Sequence, residues 1–155
     1  MTSDQIESII DYFELSSEYF VWQMENANST MDNDERLQLY YESVILPDNL
    51  YGDEDYEKIL ALMEHGGYAW DEAESSVGNS YKVFTDDEAE KEFEESVECS
   101  VDDVMSEIPE RLHQYFDKES YIEDNFNDRG SQLSLYDGCE YEEEVNGTTY
   151  YIYKQ

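Results

Sequence analysis

Of the 155 residues, 41 are Asp or Glu and 8 are Lys or Arg, so carboxylates are the groups with which this chain could do chemistry. Carboxylates serve as acid–base pairs, as ligands for hard cations, or as fixed negative charge. With so many of them, pairs at glycosidase-like spacing arise by chance, and none marks a hydrolytic site. Asp32-Asn33-Asp34 and Asp53-Glu54-Asp55 begin like calcium loops but lack the glycine at the sixth position and the closing glutamate. The two histidines, His65 and His113, have no nucleophile and orienting group arranged with them, and His113 reads as a polar rim residue. Cys99 and Cys139 offer at most one disulfide and no paired-cysteine metal spacing, and they read as free thiols in a reducing cytoplasm. Trp22 and Trp70 read as core or interface residues. There is no phosphate-cradling glycine loop and no basic patch for nucleic acid. The expectation is a chain with no catalytic residues, no cofactor and no metal, whose working property is fixed charge.

That charge is −33, and it is spread evenly: 19 acids against 2 bases in residues 1–80, and 22 against 6 in residues 81–155. B-DNA carries one charge per ~1.7 Å of axis, so this charge equals that of roughly 56 Å, or about 16 base pairs, of duplex. A compact globule of this length has a radius of gyration of only about 15 Å, so an elongated molecule could match the charge density of DNA. Such a surface repels nucleic acid and membrane phosphates and attracts the proteins that bind them. Halophilic adaptation, simple solubility and an acidic chaperone-like role account for the same composition. Disorder does not, because 39% of the residues are hydrophobic and 15% aromatic, with 15 Tyr. No apolar run is long enough to span a membrane and none follows a basic leader, which makes the cytoplasm the expected compartment.

The elements that would position these acids are mostly helical. Thr2 and Gln5 form a capping box ahead of an apolar stripe at Ile6, Ile9, Ile10 and Phe13, which resumes at Phe20, Val21 and Met24 with Ser16-Ser17 as a break or a continuation. A second helix is expected over Asp34–Leu46, a third over Asp53–His65 stopped by Gly66-Gly67, and a shorter one over Tyr68–Val77. After a brief extended piece at Tyr81–Phe84, Thr85 and Glu88 cap a helix reaching Glu98, with Ala89, Phe93 and Val97 inward. Ser100 and Asp103 repeat the capping signal for a short helix before Pro109. Two more helical segments, Glu110–Phe116 and Lys118–Phe126, should turn Leu112, Phe116, Tyr121 and Ile122 inward, the second capped by Asp117. Gln132–Tyr136 reads as a short strand. Cys139–Val145 and Thr148–Lys154 flank Asn146-Gly147, a strong hairpin turn. Its register sets Tyr141 against Ile152, Glu143 against Tyr150 and Val145 against Thr148, and leaves Glu140, Glu142 and Glu144 beside tyrosine rings on the other face.

The fold class is therefore α+β, mostly helical, in three small subdomains: residues 1–52, residues 53–99, and residues 100–155 with a C-terminal antiparallel hairpin or small sheet. The acids expected to meet a partner are Asp53, Glu54, Asp55, Asp86, Asp87, Glu90, Glu94, Glu95, Asp102 and Asp103 on helix faces, and Glu140, Glu142 and Glu144 on the ribbon.

Ile108-Pro109-Glu110, then Leu112, Tyr115-Phe116-Asp117, Glu119, Tyr121 and Asp124 together resemble the C-terminal signature of antirestriction proteins of the ArdA type. Upstream, Leu62–Gly67, Asp71-Glu72-Ala73 and Tyr81–Phe93 are similar to that family as well, so the likeness covers about residues 58–138. The chain departs from the pattern at Lys118, where the family has Tyr, at Glu123, where it has a base, and in the helical residues 1–52. The resemblance implies a DNA mimic from a phage or mobile element that fills the DNA cleft of the specificity and methyltransferase core of a Type I restriction–modification enzyme. It also implies that Pro109, Leu112, Tyr115, Phe116, Asp117, Tyr121 and Asp124 lie at a homodimer surface. A mimic of the same kind aimed at a CRISPR effector, another defence system or a host DNA-binding protein is the nearest alternative, and an acidic halophilic binding domain is a further one.

Overall fold

In a computed structural model, which describes residues 1–47 and 55–155, the chain is mostly helical with one small antiparallel sheet. Helix α1 (Ser3–Tyr12) carries the expected capping box, with Thr2 accepting from the Gln5 backbone and Gln5 reaching back. Its stripe buries Ile6, Ile9 and Ile10. Helix α2 (Ser16–Asn26) is separate, because the chain turns through Glu14 at φ 55°. That turn resets the helical phase. Leu15, Tyr19 and Trp22 now face the body, and Phe20, Val21 and Met24 point outward, contrary to the expected stripe.

Helix α3 (Asn33–Tyr40) is capped by Asp32 and Glu35 and runs into a π-turn over Tyr41–Ile45. Helix α4 (Tyr56–Gly66) is the centre of the molecule, with Ile59, Leu60, Ala61, Leu62 and Met63 all buried, and it ends in a left-handed Gly67. Helix α5 (Trp70–Ser76) follows, then strand β1 (Tyr81–Phe84). Helix α6 (Asp86–Glu107) starts at the Thr85–Glu88 capping box and continues for 22 residues without the expected break. The Ser100 hydroxyl donates back to Ser96 O at 2.9 Å, so its polarity is absorbed within the helix and no new helix starts there.

Glu110–Tyr115 is a 3-10 turn, and helix α7 (Lys118–Asn125) is capped by Asp117 as expected. Residues expected to be inward there are not. Leu112 is exposed, and Phe116, Tyr121 and Ile122 are only half-buried, with the Phe116, Tyr121 and Phe126 rings in a small aromatic cluster. The expected strand at Gln132–Tyr136 is instead helix α8 (Arg129–Leu133), capped by Asp128, followed by extended chain whose Leu135 N–H donates to Lys154 O at 3.0 Å.

Strands β2 (Tyr141–Val145) and β3 (Thr148–Lys154) form the expected hairpin in the expected register, around Asn146 at φ 52° and Gly147 at φ 78°. Strand β1 pairs antiparallel on the other side of β3, giving the order β1-β3-β2. Period-two alternation sends Val83, Val145, Tyr150 and Ile152 into the main core with α1, α3, α4 and α5. Tyr153 goes to the opposite face and is fully buried with Ala89 of α6 and Leu133 of α8. The sheet is thus covered on both faces, and the main core draws residues from all three expected segments.

The accessible surface is 9526 Å², about a sixth above the ~8100 Å² expected for a compact monomer of 18.3 kDa. Helices α2 and α7 and the 3-10 turn bury no residue fully.

Candidate functional site

Helix α6 is the longest element and the most acidic. Its 22 residues hold eleven acids and one base, Lys91. At 1.5 Å rise per residue it extends ~33 Å, so its net charge is spaced at about one per 3.3 Å, close to the ~3.4 Å of one DNA strand.

Cations gathered along its inner edge hold this helix to the body. Lys58 of α4 meets Glu88 at 2.9 Å and Asp55 at 3.6 Å. Lys82 of β1 meets Glu92 at 2.6 Å. Arg129 of α8 donates to Asp86 at 2.8 Å and lies 3.7 Å from Glu90. The same guanidinium forks onto Glu140 at 2.9 and 3.2 Å and stacks 4.5 Å over the Tyr151 ring. Tyr153 adds its hydroxyl to Glu140 at 2.5 Å. The fork fits because Gly130 lets the chain approach closely: a Cβ there would stand 2.9 Å from both Glu140 N and Gly138 O.

These contacts leave their mark on ionisation. Burial works against the Arg129 charge, but the bonds from Glu140 and Asp86 outweigh it and the pKa is raised. For Glu88, burial pushes upward, and the Thr85 backbone and Lys58 bring the net pKa below the ordinary value. Burial, reinforced by the carboxylate bond, raises the Tyr153 hydroxyl, and burial with Glu57 does the same for Tyr150.

The outer face of α6 has no such compensation. Asp87, Glu94, Glu98, Asp102, Asp103 and Glu107 are exposed and, among the described residues, have no cation within 4.0 Å. Glu94, Glu98 and Asp102 succeed one another at i,i+4, a step of about 6 Å along the axis. Glu95 pairs loosely with Lys91 at 3.7 Å, both well exposed. Sequence reasoning missed Glu98 as a member of this row because it expected the helix to end there.

The other expected acids divide. Asp53 and Glu54 lie outside the described residues. Asp55, Asp86 and Glu90 are the exposed ends of the ion pairs above. Glu142 and Glu144 are exposed on the edge strand β2, pairing in register with Tyr151 and Thr149. Glu140 is not a free charge: its side chain is 24% exposed and held by Arg129. Arg129 itself, the cation on which three of these carboxylates converge, carried no recognisable signal, because Asp86 is 43 residues away and Glu140, 11 residues on, is not at a helical or hairpin spacing from it.

Of the motif residues, Pro109 and Asp124 are exposed, Asp117 is a helix cap, and Tyr115 is 77% exposed. His113 Nε2 pairs with Ile108 O at 2.8 Å, fixing the turn. Cys99 and Cys139 are free and exposed. Among the described residues no cluster of His, Cys, Asp or Glu is arranged to hold a metal ion, and no helix is long and apolar enough to cross a membrane. No protein-family model matches the chain, and neither a curated protein nor a solved structure does.

Proposed function

We propose that the chain is a DNA mimic that inhibits a DNA-binding defence enzyme by filling its DNA cleft, with the methyltransferase and specificity core of a Type I restriction–modification enzyme as the favoured target. The observation that carries this reading is α6: a 22-residue helix of eleven acids and one base, clamped to the body along its inner edge by Lys58, Lys82 and Arg129, with six outer acids that no cation among the described residues neutralises. A cleft lined with Lys and Arg would be drawn to such a rail and would release its own counterions on binding it. No bond is made or broken, because occupancy alone excludes DNA. The Type I target rests on the resemblance of Ile108–Asp124 to the antirestriction signature, and the exposure of Leu112 and Tyr115 leaves that stretch open to a second copy or a partner. The helical α1–α3 region, where the chain departs from that family's pattern, favours as a second reading a mimic directed at another DNA-binding protein.

The test is competition. The purified chain should displace a DNA duplex from a Type I methyltransferase core at low and moderate salt. Failure at both would remove that target, and capture from host lysate across a salt series would then identify which DNA-binding protein, if any, is retained.

A further inference from the structure

Helix α2 is built the wrong way round for a buried helix. Tyr19 and Trp22 lean on Tyr40, with ring centroids 4.9 and 5.2 Å away, and this turns Phe20, Val21 and Met24 outward at 63%, 54% and 75% exposure. Beside this stripe runs an open groove of about 440 Å³, floored by Trp22 and Tyr40, walled by Val21 and Val44, and rimmed by Glu18 and Glu25. Val21 lines this groove with Glu18 and Glu25, while Phe20 and Met24 border a second depression beside it that Arg36 also lines. In a chain of −33, an apolar face of this size left in water calls for an occupant. Charge decides which. A second copy would set Glu18 and Glu25 against acids of its own kind and bring two strongly negative molecules together.

We infer that the α2 face docks the apolar side of a basic amphipathic helix belonging to a protein partner. Phe20, Val21 and Met24 take up its apolar residues, and Glu18 and Glu25 meet its Lys or Arg side chains. Phe and Met are suited to this, since a thioether and a ring re-pack against varied partners. The inference rests on the proposal that the partner is cationic, and it adds a second, apolar contact away from the α6 rail.

The experiment uses two synthetic probes of equal charge, a Leu/Lys amphipathic helical peptide and an oligolysine, titrated against the full chain. Trp22 reports the site directly, because Trp70 is 2% exposed and already buried. The amphipathic peptide should bind at least tenfold more tightly and shift tryptophan emission to the blue. Phe20→Ser with Met24→Ser should remove that advantage, leaving oligolysine affinity and its salt dependence unchanged; far-UV circular dichroism checks that the helix persists, and the paired Ala variants repeat the test if it does not. Equal affinity for the two probes, or an unchanged advantage in a folded variant, would overturn the inference while the acidic rail stood. Failure of both probes to bind would instead count against the cationic partner itself. A concentration-dependent dimer abolished by the same variants would assign the face to a second copy and overturn the inference too.

Discussion

Removing the Arg129 guanidinium would leave Glu140 facing the Tyr153 hydroxyl in a partly buried site with no cation, and would release Asp86 and Glu90 at the start of α6. Hydrogen bonds to a charged group contribute about 1.5–3 kcal/mol, and the exposed Asp86 and Glu90 add little through solvent. Arg129→Gln should therefore cost about 2 kcal/mol in urea unfolding. Arg129→Lys should recover only part of this, because a point charge cannot fork onto Glu140. A loss within experimental error would mean the latch is ornamental. The tyrosines give a second prediction at this scale. Burial raises Tyr150 and Tyr153, and a bond to Asp137 raises Tyr141 to about 12. Each folded pKa lies above the unfolded value near 10, so the stabilisation is complete below pH 10 and is lost as pH rises through the folded values. Tyrosinate absorbance and sheet structure should change together above about pH 10. The caps Asp117 and Asp128 and the turn residue Asp137 behave oppositely: bonds from the Ser120 backbone, the Ser131 side chain and the Ser134 side chain hold them below the usual carboxylate range. Their contribution is present above the unfolded pKa and disappears as pH falls through the folded one.

At the scale of the element, α6 sets stability against the proposed function. Glu94, Glu98 and Asp102 repel one another at i,i+4, and like-charge pairs at that spacing cost about 0.2–0.5 kcal/mol each. Replacing them by Gln, Gln and Asn should raise the melting temperature by a few degrees and at the same time weaken target binding and flatten its salt dependence. A variant that gained stability and kept its affinity would show that the rail is not the contact. Thr85→Ala should cost about 1 kcal/mol by removing the cap of this helix. That cap was readable from Thr85 and Glu88 alone, as were those at Thr2 and Asp117, and the Asn146-Gly147 turn fixed the hairpin register, because each is a local code of three or four residues. Phase was harder. Phe20, Val21 and Met24 look like core when counted from Ile6, and a single positive φ at Glu14 rotates them to solvent. Ser100 looks like a cap and is a back-bonded helix residue. Gln132–Tyr136 alternates like a strand, yet Asp128 nucleates a short helix and the rest docks on β3. The acidic rail was half visible, since the acids are plain in the sequence but the division into a clamped inner edge and an open outer one depends on Lys58, Lys82 and Arg129 arriving from three other elements.

For the molecule as a whole, −33 is an electrostatic load on folding that salt relieves. The screening length falls from about 30 Å at 0.01 M to about 8 Å at 0.15 M, that is, from the length of α6 to little more than the step between its neighbouring outer acids. Repulsion across the molecule should then be removed first and repulsion between adjacent carboxylates last. Melting temperature should rise steeply over this range and level off well below molar salt. The short ion pairs of Arg129, Lys58 and Lys82 are partly shielded by protein and weaken less, so their loss should not reverse the trend. Affinity for a cationic cleft should move in the other direction, falling with salt as the attraction between the two surfaces is screened. Opposite slopes for stability and affinity in one salt titration, followed by calorimetry and by displacement of DNA from the target, are the signature of charge kept for binding at the expense of folding. A chain that folded only above molar salt, with no affinity falling over the same range, would be an acidic surface adapted to its solvent, and the mimic reading would end there.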